Sequence, residues 1–252
     1  FLEGMPLKIH TLLDSKARNF TWVHADLDAH RYTQVNFYKG DEVSADTKMD
    51  KIIFVSANAK DSFLNRFPSL ESKTATIFNP IDIKKALKLS GEIGFDLHKM
   101  LTIVCVGRLT LPKKIDRLLY VAKKFSDEGI MLRFRVIGDG ELRRDLETLA
   151  KVLQVDHLVS FLGYQSNPYP YIKNADILVS TSSYEGFGLV LCEAMALGVP
   201  VVSTKTAGPM EIIGANEFGL LCDHNVEAIY EAIKQLVENK ALREHYIQKG
   251  QE

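Results

Sequence analysis

Two doubly wound α/β domains, each built on a parallel sheet, are what this sequence of 252 residues predicts. Three observations carry that expectation. Apolar runs of strand length, among them KIIFV, TIVCV and DILVS, alternate with longer segments of helical period. The loops that follow the strands are rich in glycine and small polar residues. A basic, glycine-punctuated stretch of weak periodicity, from Asp82 to His98, interrupts the alternation. Residues 1–82 are therefore assigned to one domain, 83–98 to a linker and 99–252 to a second domain.

The opening FLEGMPLKIHTLLDS supplies no leading strand, so the first domain is expected to be incomplete. FTWV then reads as a short strand, and a helical pattern follows from about Arg31. DKIIFVSAN is a buried strand, Lys60 to about Phe67 a helix, and TATIFNP a strand stopped by the Asn79-Pro80 turn. Lys84, Lys85 and Lys88 in the linker suit either a solvated helix face or an anionic membrane surface. Beyond the linker the units are clearer. LTIVCV, MLRFRVI, LVSFLG, ADILVS, PVVST and GLLC read as strands. IDRLLYVAKKFSDEG and ELRRDLETLAKVL are helices, YIKNA is a short one, another begins near Phe187, and a last helical segment starts at Val226. Right-handed crossovers would bring the loops after these strands to one sheet edge.

Composition excludes several function classes. The hydrophobic fraction of 46% and charged fraction of 25% are those of a globular domain, and a formal net charge of -1 offers no electrostatic footprint for nucleic acid. No run is long enough to span a bilayer and no signal peptide is visible, which points to the cytoplasm. Cys105, Cys192 and Cys222 lie in apolar patterns and read as buried free thiols, and no Cys/His set has zinc-ligand spacing.

The stretch YEGFGLVLCEAMALGVP concentrates the chemistry. It follows a buried strand, opens with Gly186 and Gly188, and carries Glu185 and Glu193 on either side of a helix start. Glycines admit a ligand close to the backbone, and the first turn of a helix offers N–H groups to an anion. If residues 185 to 193 were all helical, the two carboxylates would stand at most about 12 Å apart, enough to straddle a diphosphate with a sugar at each end. The other reading makes both glutamates ordinary solvated residues. In the loop after TIVCV, Gly107 and Arg108 stand a few residues before Lys113 and Lys114, a fork and a point charge that suit a diphosphate, or else a solvated basic turn. The spacing is not that of a Walker loop. GDGEL at Gly138 lacks the third glycine of a dinucleotide fingerprint, with Arg143 in its place, which argues against a dehydrogenase; it leaves either room for a planar ligand or a structural turn. Tyr164, after Gly163, is suited to stacking on a base or to packing on its own domain. Asn167-Pro168-Tyr169-Pro170-Tyr171 is read as a structural lead into a helix. His24, with Asp26 and Asp28 close behind, is suited to hydrogen-bonding a sugar hydroxyl or to capping the next loop.

Taken together, GRLTLPKKIDRLL, VIGDGELRRDLE, VSFLGYQSNPYPYIKNADILVSTSSYEGFGLVLCEAMALGVPVVST and GPMEII resemble the retaining glycosyltransferases of family 4, with the two-Rossmann GT-B fold. The resemblance covers about residues 100 to 249, extends more weakly through TIFNPID and WVHADL, and is greatest to bacterial enzymes of capsule, lipopolysaccharide and other surface polysaccharides. It implies a nucleotide diphosphate sugar as donor, a UDP-sugar first, and a glycan or lipid-linked acceptor reached at the inner membrane face. Glu193 would accept from the ribose hydroxyls, and Glu185 would hold the donor sugar. The backbone from Gly186 through Phe187 and Gly188 to Leu189 would hold sugar and phosphate. Arg108 and Lys113, with Gly107 and Lys114 beside them, would neutralise the diphosphate, so no obligatory metal or other cofactor is implied. Gly163, Tyr164 and the Gly138 loop would lie near the base, and His24 would face the reaction from the acceptor-side domain. Two departures stand out. Lys114 occupies the place of a common glycine, and the glycine-rich loop near the start of the acceptor domain has no counterpart in the sequence. Alternatives to the transferase are a nucleotide-sugar-binding module without transferase activity and a GT-B sugar epimerase, for which His24 alone offers acid–base chemistry.

Overall fold

The computed structural model describes residues 17–24, 46–91 and 100–252. The helix expected from Arg31, the pair Asp26 and Asp28, and residues 92–98 lie outside them. The chain divides into two compact units. One comprises Phe1–Pro80, Tyr184–Gly188 and Thr206–Glu211, the other Ile81–Ser183, Leu189–Lys205 and Ile212–Glu252.

In the first unit β1 (Phe20–Val23), β2 (Lys51–Phe54) and β3 (Thr74–Thr76) form a parallel sheet in that order, with Thr21 opposite Ile52 and Ile53 opposite Ala75. Helix α1 (Ala57–Arg66) follows β2 directly because Ser56 caps it, its Oγ accepting the Ala59 N–H at 3.2 Å. Phe63 packs 5.0 Å from Phe54 and 4.9 Å from Phe67, ring centre to ring centre, which fastens the helix to the sheet. The two later segments dock here through specific bonds. Glu211 accepts the Ala57 N–H at 2.6 Å, where a helix N-terminus favours negative charge, and Gly208 donates to the Glu185 carbonyl at 3.1 Å. A Cβ on Gly208 would stand 2.1 Å from the Phe187 carbonyl oxygen, so no other residue fits that contact.

The second unit begins with α2 (Ile83–Leu89), which the sequence placed in a linker. Asp82 caps it, accepting the Lys85 N–H at 2.9 Å, and Ala86 is fully buried while Lys84, Lys85 and Lys88 are exposed. Six strands follow: β4 (Thr102–Val106), β5 (Arg133–Ile137), β6 (Val159–Gly163), β7 (Ile177–Ser180), β8 (Val201–Thr204) and β9 (Leu220–Cys222). All pair in parallel, in the spatial order β6-β5-β4-β7-β8-β9. The helices of this unit are α3 (Ile115–Asp127), α4 (Arg143–Val152), α5 (Tyr169–Lys173), α6 (Leu189–Ala196), α8 (Val226–Glu238) and α9 (Lys240–Lys249), while α7 (Ala207–Ile213), between β8 and β9 in the chain, belongs to the first unit as far as Glu211.

Alternation along the strands explains why both faces are covered. On β4, Ile103 and Cys105 join a core with Leu118, Phe125 and Ile233, from α3 and α8. Val104 faces the other way, into a core with Ile172, Leu191 and Ala194, from α5 and α6. Helix α3 shows the required period, burying Ile115, Leu118, Leu119, Ala122 and Phe125, and each large side chain so buried contributes about 1.5–3 kcal/mol.

Two expectations need correction. The helix expected near Phe187 begins at Leu189, because Gly188 takes φ of +99°, outside the helical region. Residues 185–188 are therefore not helical, and the helical span from Glu185 to Glu193 does not apply. The single terminal helical segment is two helices, divided at Asn239, whose Oδ1 caps α9 by accepting the Leu242 N–H at 3.0 Å.

Candidate functional site

The strand order of the second unit reverses direction between β4 and β7, and ligands of open parallel sheets bind outside the strand ends at such a point. Gly107 and Arg108 leave β4 there, and Thr181 to Ser183 leave β7. The loop after β5 lies against the loop after β4: Gly107 donates to the Ile137 carbonyl and Leu109 to the Asp139 carbonyl, both at 2.9 Å. The approach is so close that a Cβ on Gly138, whose φ is +133°, would fall 1.9 Å from the Gly107 oxygen. Glycine at 138 is a packing requirement of the paired loops.

Beside those loops is a pocket of about 450 Å³, a volume that suits a small ligand. Val106, Ile137 and Pro168 give it apolar lining, Gly107 and Gly138 expose backbone, and Arg108, Asp139, Tyr164 and Gln165 add polar groups. Tyr164 is 76% exposed, so its ring is not packed into the domain. The Asp139 carboxyl is held below the ordinary range, first by the Gly140 N–H at 2.8 Å and then by Arg143 at 3.1 Å. Gln165 donates to the Leu162 carbonyl at 2.8 Å and accepts from the Tyr171 hydroxyl at 3.4 Å, which orients its amide.

The basic residues follow β4, in the loop that leads to α3. Arg108 is exposed and lines the pocket. Lys113 ends a short 3-10 turn, Leu111–Lys113, and its Cε lies 3.6 Å from where a Gly107 Cβ would be, so its stem runs along that glycine. Its ammonium also reaches the field of Cys105, whose thiol burial pushes up to about 12 while the lysine charge acts in the opposite sense. Lys114 adopts φ of +49°, a left-handed conformation that costs a non-glycine residue roughly 1–2 kcal/mol. That geometry is the physical reason a glycine suits this place. Thr181 fastens the turn, its hydroxyl lying 2.9 Å from the Lys113 carbonyl and 2.9 Å from that of Lys114, and the Ser183 N–H donates to the Pro112 carbonyl at 2.8 Å. The basic turn is thus tied to the loop after β7.

Glu193 lies half-buried on α6, and the Tyr169 hydroxyl at the start of α5 donates to its Oε1 at 3.0 Å. Burial pushes the Glu193 carboxyl above the usual range, and the tyrosine bond pulls it back. Gly163 takes φ of +70° at the end of β6, and its carbonyl accepts the Gly138 N–H at 2.8 Å. Glu185, Gly186, Phe187 and Gly188 belong to the first unit, as does His24, which is exposed directly after β1. Leu189, the first residue of α6, belongs to the second.

The pocket therefore collects Gly107, Arg108, Gly138 and Tyr164 from the sequence-predicted set, with Lys113 alongside. Sequence reasoning missed Asp139, Gln165 and Pro168 in its lining and Tyr169 as the partner of Glu193. The Asn-Pro-Tyr-Pro-Tyr run was the available signal, but nothing in it identifies a partner 24 residues away on another helix. Among the described residues no group of three or more His, Cys, Asp or Glu is placed to hold a metal ion, and no helix is long and apolar enough to cross a membrane.

Comparison with known proteins agrees with this architecture. A Campylobacter jejuni N-acetylgalactosamine-N,N'-diacetylbacillosaminyl-diphospho-undecaprenol 4-alpha-N-acetylgalactosaminyltransferase is 29% identical over 206 residues, 81% of this chain and 55% of that protein. The lipopolysaccharide core biosynthesis glycosyltransferase LpsE of Rhizobium meliloti is 38% identical over 151 residues, 60% of this chain and 43% of that protein. The chain thus spans about half the length of these relatives. The crystal structure of Anabaena HepE in complex with UDP and glucose superposes with a TM-score of 0.78 at 21% identity, covering 92% of this chain and 65% of that one. The fold is GT-B. Residues 95–252, more than half of the chain, match the family described as Glycosyl transferases group 1, and the chain belongs to that family.

Proposed function

We propose that the protein is part of a retaining glycosyltransferase of family 4. It moves a hexosyl group from a nucleotide diphosphate sugar, a UDP-sugar first, to a glycan or lipid-linked acceptor in polysaccharide biosynthesis. The observation that carries this reading is the pocket over the ends of β4, β5 and β6, with Arg108 in its lining and Lys113 beside Gly107. A nucleobase suits the apolar walls and the exposed Tyr164 ring, and the diphosphate suits the two cations. The HepE structure contains UDP and glucose, which supports uridine as the first donor base to test.

In the proposed reaction the bond from the anomeric carbon to the diphosphate oxygen breaks as the acceptor hydroxyl attacks from the same face. The departing phosphate takes the acceptor proton. Arg108 and Lys113 stabilise the negative charge that grows on the leaving group, so no obligatory metal is needed. Glu185 holds sugar hydroxyls, Glu193 accepts from the ribose, and His24 serves the acceptor side. The enzyme works in the cytoplasm at the inner face of the membrane, where lipid-linked acceptors are presented. A screen of donor sugars against the protein, read by mass spectrometry of the product, tests the assignment; absence of transfer from every nucleotide sugar would count against it.

The two glutamates are expected to separate. Glu193→Ala should weaken nucleoside diphosphate binding by about 1–3 kcal/mol, the worth of a charged hydrogen-bond acceptor, as measured by titration calorimetry. Glu185→Ala should leave that affinity nearly unchanged while impairing transfer. Loss of nucleotide binding in the Glu185 variant would show the division of roles to be wrong. A second reading, a nucleotide-sugar-binding module, is favoured by the pocket being lined by one unit alone. Binding without sugar release or transfer would select it.

A further inference from the structure

We propose that Tyr169 is a positioning residue for the nucleotide: its hydroxyl holds one oxygen of Glu193 so that the rest of the carboxylate meets two adjacent hydroxyls of a single ribose. The proposal rests on the reading of Glu193 as the ribose acceptor. Its geometrical basis is the 3.0 Å bond from the Tyr169 hydroxyl to Glu193 Oε1. A carboxylate offers about four lone-pair sites. The phenol occupies one, on a known oxygen, and leaves the remainder for a vicinal diol.

Tyr169 is well placed to act in this way. It directly follows Pro168, which lines the pocket. Its backbone is pinned through Asn167, whose Oδ1 accepts the Tyr169 N–H at 3.3 Å while its Nδ2 donates to the Leu89 carbonyl at 3.0 Å. Helices α2, α5 and α6 pack on one another, so the tyrosine and the glutamate are carried on a common three-helix support. A glutamate has three side-chain torsions, and ordering them on binding costs free energy unless they are ordered beforehand. The tyrosine bond supplies that order in advance.

The electrostatics act in the same direction. Burial pushes the Tyr169 phenol up to about 12, with the Glu193 charge as the next cause, so the phenol keeps its proton and remains a donor at neutral pH. Glu193, with its carboxyl pushed up by burial, is drawn toward the ionised form by the same bond.

The test is titration calorimetry of the protein with UDP and with 2′-deoxy-UDP, for wild type, Tyr169→Phe, Glu193→Ala and the double variant. Wild type should prefer UDP. Tyr169→Phe should weaken UDP about tenfold and shrink its advantage over 2′-deoxy-UDP by a similar factor, as loss of a charge-assisted bond acting through Glu193 requires. The double variant should bind no more weakly than Glu193→Ala, because the tyrosine has no effect without its glutamate. A Tyr169→Phe protein whose UDP to 2′-deoxy-UDP ratio equals that of wild type overturns the positioning role, even if both affinities fall, since a structural defect weakens the two ligands alike. If Glu193→Ala itself leaves the ratio unchanged, the ribose reading fails and the proposal with it. Failure of wild type to bind UDP overturns the reading of the pocket.

Discussion

Arg108→Ala should lower turnover by about 10²- to 10³-fold, and Lys113→Ala by a similar factor, with little change in stability. The magnitude follows from where charge develops. In the proposed reaction, breaking the bond to the sugar would leave negative charge on the diphosphate, and a cation already in place would stabilise the transition state more than the ground state. Arg108 is exposed at the pocket, so its removal leaves no cavity and should shift stability by no more than about 0.5 kcal/mol. Lys113 lies with its stem against Gly107, and truncating it removes some packing as well as charge. Its variant should therefore melt slightly earlier than the Arg108 variant. Turnover and thermal melting measured on the same preparations decide the matter: wild-type turnover in both variants would falsify the clamp, and parallel losses of turnover and melting temperature would attribute the effect to folding.

Gly138→Ala should destabilise the second unit by about 3 kcal/mol or more and abolish nucleotide binding with it. Two costs combine. At φ of +133° an L side chain is strained, by about 1–3 kcal/mol for such sparsely populated regions. The new Cβ would also lie 1.9 Å from the Gly107 oxygen and 2.8 Å from its carbonyl carbon, on backbone flanked by the bonds from Gly107 to Ile137 and from Leu109 to Asp139. Overpacking of that kind costs about 1–3 kcal/mol. Gly129→Ala is the internal control, because its φ is +73° but nothing lies within 4 Å of the added carbon, so it should lose the strain term alone. Urea unfolding separates them. Equal stabilities for the two variants would mean that the loops after β4 and β5 do not depend on their close approach.

The alternation of strands and helices in the second unit was legible because apolar period and glycine-marked loops are local properties of the chain. TIVCV became β4 and IDRLLYVAKKFSD became α3 with few residues of error. The basic turn was legible too, as Arg108 and Lys113 follow a strand end within seven residues. The segment placed in a linker was less so. Its weak periodicity hid α2, a seven-residue helix whose only fully buried side chain is Ala86. Such a helix is held by its Asp82 cap and by packing, and neither leaves an amphipathic signature.

The sequence by itself determined which residues are candidates for the proposed chemistry: two cations after one strand, two glutamates after another, and glycines where backbone must come close. Only the tertiary structure decided how they group. The order β6-β5-β4-β7-β8-β9 brings the loops after β4 and β7 together although Arg108 and Thr181 are far apart in the chain. It also places Tyr169 on Glu193 and gives Asp139, Gln165 and Pro168 to the pocket. It assigns Glu185 and Glu193, eight positions apart, to different units. The physical reason is that side-chain spacing along a strand or helix is dictated by local geometry, whereas strand order and loop docking are set by burial and hydrogen bonding summed over the whole sheet.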